Sequence, residues 1–153
     1  LTGALPTSTE WEAVARGAGP GPFPWGTDDA GVGDTALANH RWDGERPGET
    51  TPVGAFPLGN VRRGSRVLHD LAGNVWEWTQ TEWGAAGAER DAPRQDDDTG
   101  VGLSPDEAPR VVRGGSWRSP SWSLRCAVGG MVFSASRNDN LGFRVVFRPP
   151  GSF

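Results

Sequence analysis

The chain has no tyrosine, one cysteine, one methionine and two histidines. Without tyrosine there is no phenol for catalysis. A single thiol, Cys126, excludes an internal disulfide, a thiolate pair and a cysteine-rich zinc site. His40 and His69 are too few for a three-histidine metal centre. Catalysis by either is not expected, since a lone histidine beside apolar residues is usually a satisfied structural group. No apolar run approaches the roughly 20 residues of a membrane helix, so no direct membrane insertion is expected. No signal-peptide pattern is read at the first residues. Lysine is also missing, so all 15 basic residues are arginine. Arginine suits planar, bidentate contacts, but a GC-rich genome gives the same bias. With 19 acidic residues the net charge is −4. That balance argues against a nucleic-acid partner, which calls for a basic patch.

What is present is unusual in kind. The 153 residues suit one domain, 1–153. Gly 23 and Pro 13 bring the chain near low-complexity composition. Eight tryptophans and six phenylalanines oppose disorder. The pattern predicts a loop-rich globular domain pinned by indoles.

One helix is legible. Thr7-Ser8-Thr9-Glu10 is a capping box. Trp11, Val14 and Ala15 follow at helical spacing, and Gly17 is a C-cap candidate. Residues 17–66 show no sustained period, and prolines recur through them. Phe23, Trp25, Trp42, Val53 and Phe56 are the expected inward anchors. So long a loop needs a support other than backbone pairing, and a bound cation is one candidate. Over 67–83 a strand, a tight turn at Gly73-Asn74 and a second strand are predicted. Residues 84–109, with the run Asp96-Asp97-Asp98, read as an exposed insertion. Arg110–Arg113 reads as a strand ended by Gly114-Gly115 and resumed by Ser116-Trp117. Leu141–Phe147 reads as another strand. Residues 118–136 fit no simple secondary structure.

Several short segments carry a resemblance. They are Leu5-Pro6-Thr7 with Glu10-Trp11-Glu12, Phe23-Pro24-Trp25-Gly26, and Thr51-Pro52-Val53-Gly54 with Phe56-Pro57. Then come Asp70-Leu71-Ala72-Gly73-Asn74-Val75-Trp76-Glu77-Trp78, Val112-Arg113-Gly114-Gly115-Ser116-Trp117 and Leu141-Gly142-Phe143-Arg144. In this order they resemble the formylglycine-generating-enzyme (sulfatase-modifying factor) family. Each is weak alone, whereas all of them in order span nearly the whole chain. The resemblance implies an α+β, C-type lectin-like fold with few helices, many loops and a small twisted antiparallel sheet. The chain starts almost at the family's Leu-Pro-Thr helix, so it reads as the C-terminal part of that domain.

The resemblance also sets the expectations about chemistry. Formylglycine formation in that family needs copper on two cysteine thiolates, and soft Cu(I) wants soft sulfur. The thiolates follow the Gly-Gly-Ser-aromatic segment. Here Arg118-Ser119-Pro120-Ser121-Trp122-Ser123 follows it, and Cys126 lies beyond, at a structural position. No copper and no enzymatic activity are therefore expected. The iron-dependent branch, which takes three histidines from another domain, is equally unsupported.

A non-enzymatic branch fits better, the variable proteins of diversity-generating retroelements. Their variable region runs from Gly-Gly-Ser-Trp to Leu-Gly-Phe-Arg, the layout of residues 114–144. Mutation at adenines of Asn codons can reach Arg118, Ser119, Ser121, Ser123, Val128, Gly129, Gly130, Val132, Phe133, Ser134 and Ser136. Met131 is reachable from a related codon, and these twelve are the candidate ligand-binding residues. Trp122 is not reachable and is expected as scaffold. So are Gly114, Gly115, Ser116, Trp117, Leu124, Arg125, Ala127, Arg137, Asn138, Asp139, Leu141, Gly142, Phe143 and Arg144. Val128, Met131, Val132 and Phe133 cluster with Gly129-Gly130 in what reads as loop. Surface display of such an apolar set makes an adaptable binding surface; core packing is the alternative. The expected partner is a protein or a cell-surface ligand. Display at a cell surface or on a virion would depend on an N-terminal part.

The resemblance further implies a structural calcium site. Hard cations take oxygen cages. Asp70 and Glu77 would offer carboxylates, and Gly73 and Val75 carbonyls. The alternative is that the two carboxylates cap the turn. A second family site would involve Asn39 and the backbone at His40. Trp76, Trp78 and Trp117 read as core, and Arg113, Arg125, Arg137 and Arg144 as internal bridges.

Overall fold

Helix α1, Ser8–Arg16, forms where the sequence caps it. In the computed structural model the Thr7 hydroxyl accepts from the Glu10 N–H, and the Glu10 carboxylate accepts from the Thr7 N–H at 2.7 Å. Gly17 caps the other end at φ +55°. The structure describes residues 2–17, 19–26, 37–41, 48–84, 89–90 and 108–148. The helix buries Trp11 and Ala15 against Val61, Leu71 and Cys126. A second cluster gathers Phe23, Ala38, Ala72 and Leu124, with Trp25 stacked on Phe23 at 5.2 Å between ring centroids.

The strands are short. β1 (Thr2–Ala4) pairs antiparallel with β9 (Val146–Arg148). β2 (Val61–Arg63) and β3 (Arg66–Leu68) form a hairpin across Gly64-Ser65. The main sheet runs β5 (Glu89–Arg90), β4 (Trp76–Trp83), β6 (Pro109–Arg113), β7 (Gly129–Phe133), antiparallel throughout. β8 (Leu141–Phe143) joins β4 in parallel. Side chains of β4 alternate until a register shift between Trp78 and Glu82, where Thr81 and Glu82 are buried in succession. An extra residue in a strand has this effect, since it turns two neighbours to one face.

Several sequence expectations change here. The strand before Gly73-Asn74 pairs with β2, not with the strand after it. Ser116-Trp117 does not resume the β6 strand, because Gly114 and Gly115 both lie at positive φ and turn the chain away. Residues 118–136 hold a 3-10 turn, Ser121–Leu124, and strand β7. The run Leu141–Phe147 breaks between β8 and β9. Val53 is 77 % exposed rather than an anchor, while Phe23 is buried and Phe56 half-buried. Trp76 and Trp78 are half-buried, and only Trp117 of the three is core. Trp42, Asp96, Asp97 and Asp98 lie outside the described residues, as does most of 84–109; Gly84 and Ala108 are buried.

Candidate functional site

The central strand β6 is the foundation. Val111, Val112 and Arg113 are all at most 2 % exposed. Arg113 donates to Ser8 Oγ at 2.6 Å and to the Cys126 carbonyl, and pairs with Glu12 at 3.3 Å. A buried guanidinium is tolerated because its donors are met. Where β6 ends, the turn is locked on both sides. The Gly73 N–H donates to the Gly114 carbonyl at 2.8 Å, and the Trp117 N–H to the Asn74 carbonyl at 3.0 Å. Gly73 itself, at φ +77°, has no room for a Cβ, which would stand 2.4 Å from the Asn39 carbonyl oxygen. Ser116 Oγ meets Ser119 Oγ and accepts from Asn140 Nδ2, both at 3.2 Å.

On this base β7 pairs Val111 with Met131 and Val112 with Gly130. Side chains two apart on a strand share a face. Met131 and Phe133 therefore point the same way, and both are exposed. Val128, Gly129, Gly130, Val132, Ser134 and Ser136 are half-buried. Gly130 is confined, since a Cβ there would stand 3.1 Å from a Val112 methyl. Arg118 and Ser121 are exposed on the loop before β7. Arg118 lies 4.3 Å over the Trp117 ring and pairs with Asp139 at 2.6 Å.

Ser119 and Ser123 do not reach the surface. Ser119 Oγ accepts from the Ser116 N–H at 3.0 Å and so belongs to the turn. Ser123 is 4 % exposed, and its carbonyl packs against Gly115. Among the expected scaffold residues, Trp122 and Phe143 are instead exposed, at 59 % and 68 %. Arg125 and Arg137 are exposed as well, whereas Arg113 and Arg144 make internal bridges. His40 is buried with Nδ1 3.0 Å from the Arg41 carbonyl, and His69 Nδ1 lies 3.0 Å from Asn60 Oδ1. Cys126 is fully buried beside Trp11, and burial pushes its thiol up to about 11.

The four expected calcium ligands are differently engaged. Glu77 accepts from the Trp11 indole at 2.6 Å and twice from Arg144, at 2.5 Å each. Burial opposes the Arg144 charge, but Glu77 more than offsets it and holds the guanidinium above its ordinary pKa. Three of the roughly four lone-pair sites of that carboxylate are thus used. Asp70, at φ +51°, accepts from the Gly54 N–H through Oδ2 at 3.0 Å. Gly73 and Val75 flank Asn74 in the turn between them. Asn39 Oδ1, in contrast, is buried with no partner among the described residues, while Nδ2 donates to the Glu49 carbonyl at 3.1 Å. A buried amide oxygen without a donor is an atom a cation would use. Of the first expected site Glu77 keeps one open lone-pair position, and the second expected site has the open Asn39 oxygen; among the described residues no cluster of three or more His, Cys, Asp or Glu side chains gathers at either.

The comparisons with known proteins agree with this architecture. The family model for the sulfatase-modifying factor enzyme 1-like domain matches residues 2–149. The chain is 34 % identical to the inactive C-alpha-formylglycine-generating enzyme 2 of Bos taurus over 96 % of this chain and 46 % of that protein. It is 41 % identical to the formylglycine-generating enzyme of Mycobacterium tuberculosis over 52 % of this chain and 27 % of that protein. Among solved structures it is similar to the Treponema denticola variable protein 1, with TM-score 0.65 and 26 % identity over 96 % of this chain and 48 % of that one. The chain thus spans less than half the length of these relatives. Its fold is the α+β, C-type lectin-like, loop-rich fold that they share. With the pattern, the architecture and the family model in agreement, the chain belongs to the sulfatase-modifying factor enzyme 1-like domain family.

Proposed function

We propose that the chain is a non-enzymatic ligand-binding module whose segment 118–136 is diversified between gene copies, as in the variable proteins of diversity-generating retroelements. The observation that carries this is strand β7. Met131 and Phe133 stand exposed, at 46 % and 52 %, on a strand hydrogen-bonded to the buried β6. Side chains there can change without disturbing the core, which is what an adaptable surface on a rigid support needs. Arg118 and Ser121 add polar contacts from the preceding loop. Ser119, Ser123 and Gly130 hold the support. The ligand is a protein or a cell-surface group, bound without bond making. The similarity to a protein named variable protein 1 supports the same reading.

Sequencing the native locus tests it. A near-copy of the segment encoding residues 114–144, beside a reverse transcriptase gene and differing only where the copy carries adenines, is the expected finding. Mismatches should fall at Arg118, Ser121, Met131 and Phe133 and spare Ser119 and Ser123. Absence of a copy, with no variation among sibling genes, would favour a fixed structural or regulatory module.

A copper-dependent oxidoreductase of the formylglycine-generating type is the second reading, favoured by the enzymes among the relatives. Cys126 speaks against it, being the sole thiol, buried and held protonated. Copper-dependent turnover of a cysteine peptide that is lost in Cys126→Ser would overturn the binding reading.

Calcium belongs to the same proposal as a structural ligand. It would be held by Asn39 at one place and by Asp70, Glu77 and the Gly73 and Val75 carbonyls at the other.

A further inference from the structure

A cleft of about 600 Å³ opens between β4 and the turn that follows β7. That volume lies within the range of small-molecule sites. Leu5 and Trp78 give it an apolar side, and Gln80, Arg110, Ser134 and Arg137 give it a polar one. We infer that this cleft is a second binding site, for a carboxylate carried on an aromatic body.

The charges decide the sign of the ligand. Arg110 is already matched: it donates to the Gln80 carbonyl at 2.6 Å and pairs with Glu82 at 3.3 Å. Arg137 is not. Its Nη1 donates to the carbonyls of Ser134 and Ser136, at 3.1 and 2.8 Å. Those two bonds hold the guanidinium from one edge. Its Nε and Nη2 have no partner among the described residues, and no carboxylate pairs with it there. A guanidinium held by one nitrogen, with its other donors unengaged, can take a planar carboxylate by two parallel bonds. Ser134 cannot compete for it, because its hydroxyl donates to the Ala108 carbonyl at 2.5 Å. The half-buried Trp78 ring supplies the surface against which an aromatic body would stack. Within a chain of net charge −4, the cleft is a local place for an anion.

The site goes beyond the diversified surface and does not depend on it. Ser134 is the one lining residue among the twelve candidate ligand-binding positions. Absence of a retroelement copy would leave the cleft standing, and an inert cleft would leave β7 as the variable face.

The experiment is a nuclear magnetic resonance titration of the full chain. The probes are phenylacetate, phenethylamine, which keeps the ring and reverses the charge, and inorganic phosphate. Phenylacetate is expected to shift the Trp78 indole N–H and the Arg137 Nε–H together and to saturate. Arg137→Ala should weaken this at least tenfold, with other spectral changes confined to the 134–136 turn whose carbonyls it binds. Arg137→Lys should recover part of the loss, having charge without the fork. The peptide acetyl-Phe-Asp-amide separates a protein-borne carboxylate from a free acid, according to which of it and phenylacetate binds more tightly. Equal shifts with phenethylamine or phosphate, no shift with either carboxylate, or binding unchanged in Arg137→Ala would overturn the assignment.

Discussion

Single side chains in this protein act across long stretches of sequence. Arg113 joins the first helix, the central strand and the loop at Cys126 through donors that water cannot replace. Removing it takes a buried donor from Ser8 Oγ and from the Cys126 carbonyl, while Glu12 keeps its pair with Arg16. Losing a buried hydrogen-bond partner costs roughly 1–3 kcal/mol. Arg113→Ala is thus expected to lower the urea midpoint strongly with an unchanged m-value; a shift under about 0.5 kcal/mol would show the network to be dispensable. This arginine was legible from the sequence as a bridging residue, because it precedes Gly114-Gly115 in a recognisable segment. Val53 was not legible. Its apolar character suggested burial, yet it is exposed, and nothing in a lone side chain says which way a loop will face.

Among the elements, helix α1 was legible and strand β7 was not, for related reasons. The capping box lies within four neighbouring residues, so local chemistry determines it. Strand β7 opens with two glycines, which disfavour strands, and forms because β6 offers a ladder to pair with. The hairpin across Gly64-Ser65 was not legible either, lying at the end of a stretch whose prolines and glycines hide any period. The run Leu141–Phe147 breaks because Arg144 turns inward to Glu77, a contact no strand propensity encodes. At this scale Thr7→Ala should cost about 1 kcal/mol in thermal or urea unfolding, the usual loss for a cap. The pH dependence follows from Glu10. Burial works to raise its pKa, but the hydrogen bond from Arg148 and the Thr7 N–H outweigh burial and hold it low. A carboxyl with a depressed folded pKa stabilises above its unfolded value and loses that contribution as pH falls through the folded one. Stability should therefore drop on acidification below about pH 4.5, and Glu10→Gln should flatten that part of the profile. An unchanged profile in the variant would assign the acid loss to other carboxylates.

At the scale of the molecule, two turn regions and the long loop before them are joined through Asn39, Asn74 and Thr51. Calcium at Asn39 or Glu77 would tie that junction further. At calcium 100-fold above its dissociation constant, bound metal adds about 2.7 kcal/mol. Excess EDTA should then lower the melting temperature by roughly 5–10 °C for a domain of this size. Asn39→Ala with Glu77→Gln should remove the sensitivity; an unchanged melt of the parent chain in EDTA removes calcium. Two of the pairings that complete the architecture are long-range. Thr2 pairs with Arg148, and the Glu10 carboxylate that caps α1 also meets Arg148. On a ribosome adding 5–20 residues per second, strand β1 waits roughly 7–30 s for its partner to be made. Until then α1 keeps its cap but lacks its arginine, and β1 presents an unpaired edge. Synthesis slowed before Val146 would lengthen the time for which β1 lacks that partner.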